Sequence, residues 1–397
     1  MTTEYFEKSL SLQDDRLPSE NLGQSRPKYV VITSPKGGLG DRFRGIVSAF
    51  FMAHIMGRDF LLVGEDFFGG DGFADYISPE GNPGSQFDWL RKNVTRLLED
   101  TPVEQRQVVA HFSAHGTKRD AKLVLLNFDE LDKAEVIEIV TNRMWIPNFG
   151  WKTDFPQRFL PRVCQTFDIN ERGRVWPTAL QSLFRPGPRI TPYLERARQE
   201  FLRPGTFKVA FHIRAGDSEM MNKNKPPSPF PTPYVRCFVE RALAKWEEVR
   251  DSGEYPNGLV VYVVSDREAN AKEAVRLLGS SGVAMVAFEG SVYVDHQPEH
   301  MNNRNGDQTR TFLDWWMLTE MDYLVATESG FSSSASRYKC KEIVTINRRY
   351  TGGPPPQSPE ELESASANVT CSVFVHQGPQ GLCQVTTSFK RFILTCL

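Results

Sequence analysis

FKVAFHIRAGD, residues 207–217, is the most informative segment of this chain. Its first part is a short run rich in apolar residues, typical of a buried strand, and a His, an Arg, a Gly and an Asp follow where that strand ends. In open α/β sheets, ligands bind at the carboxyl edge of the strands. Arg214 offers a planar fork of donors for two phosphate oxygens, and Gly216 allows close approach of the backbone. The stretch predicts a ligand site; the alternative is a turn with an ion pair between Arg214 and Asp217.

Strands and helices alternate through the rest of the second half. GLVVYVV, residues 258–264, has the continuous apolar character of a strand buried on both faces of a parallel sheet. The spacing of apolar residues predicts helices at 233–250, 269–278 and 311–321, and further strands at 283–288, 323–326 and 343–346.

The first half opens with the same alternation. A strand is predicted at 28–33, a helix at 42–56 and a second strand at 59–64, which together form a βαβ unit with a parallel crossover. We therefore expect an α/β chain with two facing Rossmann-like domains, parallel sheets and a cleft between the domains. The predicted organisation is a polar tail or stem, an N-terminal domain, a C-terminal domain and a Pro-rich linker with a C-terminal segment, at 1–27, 28–205, 206–350 and 351–397.

Composition limits the partners of the chain. Its 397 residues carry 47 basic and 49 acidic side chains, a formal net charge of −2, so no global basic field attracts nucleic acid. No stretch of 18 apolar residues is present, so no integral membrane span is expected in this chain. Neither a metal site nor a bound cofactor is predicted, because no Cys or His cluster has zinc-site spacing.

The redox state of the six cysteines depends on the cellular compartment of the protein. Reduced, partly buried thiols are the expectation, and the alternative is a disulfide among the three cysteines of the last 27 residues. The chain as given predicts a soluble, cytoplasmic protein. The lumen of the Golgi or endoplasmic reticulum is the alternative if an anchor or signal has been removed, and the sequons at Asn93 and Asn368 would then matter.

A glycine-rich loop links the first predicted strand to its helix. Gly38, Gly40, Asp41 and Arg42 lie where backbone N–H groups and the positive helix end suit an anion. The spacing matches neither a phosphate-cradling NTPase loop nor a nicotinamide-binding loop. The alternative is a tight turn in which Asp41 is a helix-start acid, although Arg42 is then a cation at the unfavourable end of the helix dipole.

Two further polar groups follow predicted strands of the second half. Ser265 and Asp266 come directly after the apolar strand, where the alternative role of the Asp is to cap the next helix. A serine-rich loop, residues 329–334, opens another helix, and its hydroxyl and N–H groups suit a diphosphate. An ordinary serine N-cap explains one of these serines but not four.

The order of these motifs resembles the fucosyltransferase superfamily. GGLGDR is followed by HIRAGD, by VVSD, and by DWW…TEMDYLVATESGFSSSASR, over roughly residues 28–347. The resemblance implies a GT-B-like fold and a donor-binding group made of Gly38, Gly40, Arg42, His212, Asp217, Ser265, Asp266, Asp322, Ser332, Ser333 and Ser334. It implies that Arg214 binds the donor diphosphate and that Asp266 and Asp322 lie near the base or ribose.

The function expected from this resemblance is inverting, metal-independent transfer of a sugar to a hydroxyl of a glycan or glycoprotein, in glycan biosynthesis. Fucose from GDP-fucose is the favoured donor, and another donor such as UDP-xylose is the first alternative. The catalytic candidates are Arg214, with Asp41 and Glu219 as candidate bases. A non-catalytic glycan- or nucleotide-binding module is the alternative from another class.

Overall fold

The structure is a computed structural model, which describes residues 28–32, 38–62, 73–78, 94–111, 128–141, 175–200, 202–214, 232–280, 285–286, 309–339, 341–350 and 369–376. The chain forms two compact units: the first combines residues 1–67, 79–185 and 383–397, and the second combines 68–78 and 186–382. Among the described residues, no helix has the length and apolar character needed to cross a membrane.

The first unit begins with the predicted βαβ arrangement. Strand β1 (Tyr29–Ile32) leads to α1 (Leu39–Met56), and β2 (Asp59–Leu62) pairs in parallel with β1. Helix α1 begins three residues before the predicted start, because the Gly38 carbonyl already accepts from the N–H groups of Asp41 and Arg42 at 3.0 and 3.1 Å. Its apolar side chains are buried along its whole length, which makes it the main support of this sheet.

Helix α2 (Phe73–Tyr76) and strand β3 (Ile77–Ser78) come next in the chain but belong to the second unit. The described part of the first unit then continues through α3 (Val94–Asp100), β4 (Arg106–His111), α4 (Phe128–Lys133), β5 (Val136–Thr141) and α5 (Val175–Leu183). Its sheet has the order β2-β1-β5-β4 with parallel pairs throughout. Strand β5, next to β1, was not predicted from the sequence.

The chain passes into the second unit at β6 (Arg185–Pro186), which pairs with β3, and continues in α6 (Thr191–Glu200). The boundary between the compact units therefore falls about twenty residues before the one expected near Gly205. The reason is that α6 packs on its own unit: Leu194 is buried and Arg198 pairs with Glu320 at 2.7 Å. The proposed domain limits remain a prediction.

The second sheet is built from β7 (Phe207–Ile213), β8 (Leu259–Ser265), β9 (Met285–Val286), β10 (Tyr323–Ala326), β11 (Glu342–Tyr350) and β12 (Val369–His376). Its order is β12-β11-β10-β7-β8-β9, which is the strand order of a dinucleotide-binding sheet. All pairs are parallel except β11–β12, since β12 returns antiparallel along β11. Helices α7 (Thr232–Val249), α8 (Glu268–Gly279), α9 (Thr309–Glu320) and α10 (Gly330–Tyr338) connect the strands.

One expectation about the cysteines is wrong. Cys237 on α7 is disulfide-bonded, whereas reduced thiols were expected from the scattered spacing of the cysteines. The spacing could not reveal the bond, because disulfide pairing depends on which strands and helices become neighbours in the fold.

A candidate anion site at the carboxyl edge of the second sheet

The three central strands of the second sheet end level with one another. His212 on β7 lies opposite Ala326, the last residue of β10, and Ile213 lies opposite Ser265, the last residue of β8. The chain runs from β7 to β8 on one side and reaches β10 on the other, so the carboxyl ends of β7 and β10 form the topological switch point of this sheet. Ligands of open α/β sheets bind at such points.

Arg214 is held at this switch point from two sides. Its backbone N–H donates to the Thr327 hydroxyl at 3.0 Å, and its Nη1 donates to the Ser329 hydroxyl at 3.3 Å. Thr327 is itself fixed, because its N–H and its hydroxyl both donate to the His212 carbonyl, at 2.9 and 3.2 Å. Arg214 is half-buried, and its guanidinium therefore lies against Ser329 at this edge of the sheet.

Helix α10 begins directly beside Arg214. Ser329 is its N-cap, in an extended backbone conformation, and the Ser329 hydroxyl accepts from the Phe331 N–H at 3.2 Å. The first turn carries no acidic residue. The positive end of the helix dipole therefore lies next to a guanidinium, an arrangement suited to a phosphate or diphosphate.

The three predicted serines of α10 differ in their burial and hydrogen bonds. Ser334 is engaged elsewhere, because its hydroxyl accepts from Trp315 Nε1 at 3.0 Å and donates to the Phe331 carbonyl at 2.8 Å. Ser333 is half-buried, and Ser332 is fully buried with a hydroxyl for which the described residues provide no hydrogen-bond partner. Ser329, which lies in the predicted serine-rich loop, and Thr327, which was not predicted, carry the hydroxyls that contact Arg214.

His212 lies beneath the same edge. Only 6% of its surface is exposed, and its ring lies 5.3 Å from the ring of Phe331, in the first turn of α10. His212 is therefore packed against the first turn of α10, and its predicted role in donor binding stays a prediction.

Ser265 and Asp266 also lie at this edge. The Ser265 hydroxyl donates to the Ile213 carbonyl at 2.8 Å and accepts from the Arg267 N–H at 3.1 Å. Asp266 and Arg267 are both half-buried, and Arg267, the N-cap residue of α8, was not predicted. The hydrogen bonds of Ser265 couple the end of β8 to the end of β7.

Asp322 lies at the opposite edge of the sheet. It precedes β10, where its carboxylate accepts from the Lys208 N–H at 3.1 Å and pairs with Lys341 at 3.1 Å. The structure therefore does not bring Asp322 to the group around Arg214. Asp217 and Glu219 lie outside the described residues.

The predicted residues of the first unit gather at the start of α1. Gly38 is the exposed N-cap residue, Gly40 is buried, and Asp41 accepts from Arg44 Nη1 at 3.2 Å. Burial lowers the pKa of the Arg42 guanidinium to about 10, which leaves it protonated at neutral pH. Across the described ranges of both units, no group of three or more His, Cys, Asp or Glu side chains is arranged to hold a metal ion.

Comparison with known proteins gives a structural likeness only. No family model matches the chain, and no curated protein matches it. Among solved structures, a point mutant of Arabidopsis thaliana FUT1 in complex with GDP aligns with a TM-score of 0.59 at 17% identity, over 94% of this chain and 78% of that one. Fucosyltransferase NodZ from Bradyrhizobium has a TM-score of 0.47 at 14% identity, over 81% and 96%. POFUT1 has a TM-score of 0.43 at 13% identity, over 81% and 97%.

The chain has a GT-B-like fucosyltransferase fold. The predicted fold class, with its parallel sheets, is thereby confirmed. An identity of 17% establishes the fold alone, so the activity rests on the site itself.

Proposed function

We propose that this protein is an inverting glycosyltransferase that moves a sugar from a nucleoside diphosphate to an acceptor hydroxyl. The observation that carries the proposal is the contact between Arg214 and the Ser329 N-cap of α10, at the switch point of the second sheet. A guanidinium beside a helix start without an acidic residue is suited to the two negative charges of a diphosphate.

Charge compensation explains how this site would accelerate transfer. As the bond between the sugar C1 and the diphosphate oxygen breaks, the leaving nucleotide takes the electron pair and gains negative charge. Arg214 and the N–H groups of α10 would offset this charge without a metal ion, and such preorganised donors supply a large share of rate acceleration. Removal of a single donor of this kind costs on the order of 10²–10³ in rate.

The acceptor hydroxyl would attack C1 from the face opposite the leaving group, which inverts the configuration, and its proton would pass to a base. Asp41 and Glu219 are the candidate bases. Asp41 is half-buried and accepts a hydrogen bond from Arg44 Nη1 at 3.2 Å. A hydroxyl of a glycan or glycoprotein is the proposed acceptor.

GDP-fucose is the proposed donor. The support is the motif order of the sequence together with the fold shared with a FUT1 structure that contains GDP. The disulfide at Cys237 supports a site of action in an oxidising compartment such as the lumen of the Golgi or endoplasmic reticulum, because disulfides persist there.

A thermal unfolding series with GDP, UDP, CDP and ADP tests the donor assignment. A ligand at about 100 times its Kd adds about 2.7 kcal/mol of stability, enough for a clear rise in midpoint. We expect GDP alone to raise the midpoint, and we expect fucose to pass from GDP-fucose to a glycan acceptor in the same preparation. A rise with UDP alone would show that the donor is a UDP-sugar and not GDP-fucose. Binding of GDP without any transfer of fucose would show that the protein is a nucleotide-binding module and not an enzyme.

A further inference from the structure

A short segment from the first half of the sequence is built into the second unit. We call residues 73–78, which form α2 and β3, the strap. Its backbone is bonded to the chain after β6: the Gly187 N–H donates to the Tyr76 carbonyl and the Arg189 N–H donates to the Asp75 carbonyl, both at 2.9 Å. A Cβ at position 187 would lie 2.4 Å from the Asp75 oxygen, so this approach requires glycine.

Tyr76 connects the strap to α9. Its ring stacks on Phe312 at 4.8 Å with an interplanar angle of 5°, and its hydroxyl accepts from Arg189 Nη1 at 2.9 Å. Trp316 Nε1 donates to the Tyr76 carbonyl at 3.4 Å. Only 3% of Tyr76 is exposed, so the residue is fixed on all sides.

Helix α9 in turn holds α10. Trp315 and Trp316 both meet the Tyr338 ring edge to face, at 5.6 and 5.2 Å. Trp315 Nε1 donates to the Ser334 hydroxyl at 3.0 Å, and Ser334 donates to the carbonyl of Phe331 in the first turn at 2.8 Å. The contacts therefore run without a gap from the strap to the turn beside Arg214.

The opposite side of α9 is tied to the sheet. Asp314 accepts from the Tyr262 hydroxyl at 2.6 Å and pairs with Arg310 at 2.7 Å, and 8% of Asp314 is exposed. Because buried bonds of this kind leave little freedom, α9 behaves as a rigid element. Displacement at its Tyr76 contact is then transmitted to α10.

We propose that the strap positions the first turn of α10, which makes Tyr76 and Gly187 positioning residues for diphosphate binding. Helix α10 has only nine residues, so its direction is set by its neighbours rather than by its own hydrogen bonds. A binding site needs its donors within about 0.5 Å of the productive geometry. This role rests on the proposed function of Arg214 and Ser329.

The test compares two matched tyrosines. Tyr76→Leu removes the stack on Phe312, whereas Tyr234→Leu is the control. Tyr234 is equally buried at 2%, has a hydroxyl that donates to the Ile346 carbonyl at 3.0 Å, and lies 5.6 Å from the ring of Phe238 on α7. Tyr76→Phe keeps the ring and should restore function. Gly187→Ala disturbs the strap from the other side, so that the proposal does not depend on one variant.

Two quantities are measured below the unfolding temperature of every variant: the Kd for GDP by calorimetry, and amide hydrogen exchange of ligand-free peptides that cover α10. We expect Tyr76→Leu and Gly187→Ala to weaken GDP binding about two- to tenfold, within the range of measured couplings, and to speed exchange in α10. We expect Tyr234→Leu and Tyr76→Phe to do neither.

The strap proposal is overturned if α10 exchanges at the wild-type rate in Tyr76→Leu and Gly187→Ala, or if Tyr234→Leu speeds exchange there equally. Failure of the proposed function has a different signature. The wild-type chain would then not bind GDP at all, while the exchange data would still report whether the strap orders α10.

Discussion

Helices α1 and α10 begin beside the switch points of the first and second sheets, and they begin in different ways. Helix α1 starts at Gly38 with no side-chain cap, and its first turn contains Asp41, which is bonded to Arg44. Helix α10 starts at Ser329, whose hydroxyl caps the Phe331 N–H, and its first turn contains no acidic residue.

The difference supports the start of α10 as the anion site of the proposed function. Asp41 already supplies negative charge to the positive end of α1. At α10, the helix dipole and Arg214 add positive charge without an acid in the turn to offset it. In the proposed function, Arg214 and the start of α10 bind the diphosphate, and Asp41 at the start of α1 is a candidate base.

Arg214→Ala should have the largest effect. Loss of the guanidinium should lower the rate of fucose transfer by about 10²–10³, since one preorganised donor of charge compensation is removed. Transfer from GDP-fucose is measured beside the unfolding midpoint, which should change little. Arg196→Ala, at an exposed ion pair with Glu200 on α6, is the control. Transfer at the wild-type rate in Arg214→Ala would exclude this residue from the reaction.

Two matched substitutions, one at the start of each helix, test whether the two helix starts differ in function. Ser329→Ala removes both the N-cap of α10 and the hydrogen-bond acceptor of Arg214. GDP should therefore bind about tenfold more weakly, which is the usual effect of losing a hydrogen bond to a charged group. Asp41→Asn should leave the Kd for GDP unchanged and lower the rate of transfer. Equal weakening of GDP binding by both substitutions would remove the distinction between the two helix starts.

The smallest expected effect concerns the ionic contacts behind α10. Burial raises the pKa of Glu320, but Lys339 and Arg198 outweigh it, so the pKa lies below its ordinary value of 4.5. A carboxylate whose folded pKa is depressed stabilises the fold above its unfolded pKa, and this stabilisation is lost as the pH falls through the folded pKa.

Unfolding midpoints of wild type and Glu320→Gln should therefore differ at neutral pH, approach each other below the unfolded pKa of Glu320, and converge below its depressed folded pKa. Glu273→Gln is a suitable comparison, since Arg276 also depresses the pKa of Glu273, but as a local pair within α8. Midpoints that stay equally far apart in acid would show that the charge of Glu320 is not the source of the difference.

The sequence predicts the second sheet better than the first. Strands β7 and β8 are short, mostly apolar and followed by polar residues, so both their position and the site at their ends follow from the pattern. Strand β5 contains Glu138, which pairs with Arg106 at 3.8 Å in the sheet, and this charge interrupts the apolar signal. Only the pairing of β5 with β1 reveals its position in the sheet.

The contacts of the candidate site depend on where a helix begins and on which distant residues meet, and the sequence shows neither directly. Four serines follow β10, and only the start of α10 decides that Ser329 is the cap. The position of Asp322 was predictable, because a residue that precedes a strand lies at its amino end. The contact of Tyr76 with Phe312 joins residues far apart in sequence, and no local pattern indicates it.

The strap also has a consequence for the order of events during synthesis. Tyr76 leaves the ribosome 240 residues before Trp316, the residue that donates to its carbonyl. At about 5–20 residues per second, the strap waits on the order of 10–50 s for this partner. The growing chain therefore carries a segment of the second unit before that unit exists, while the first unit is being made. Tyr76 and Ile77 of this segment are buried in the finished fold.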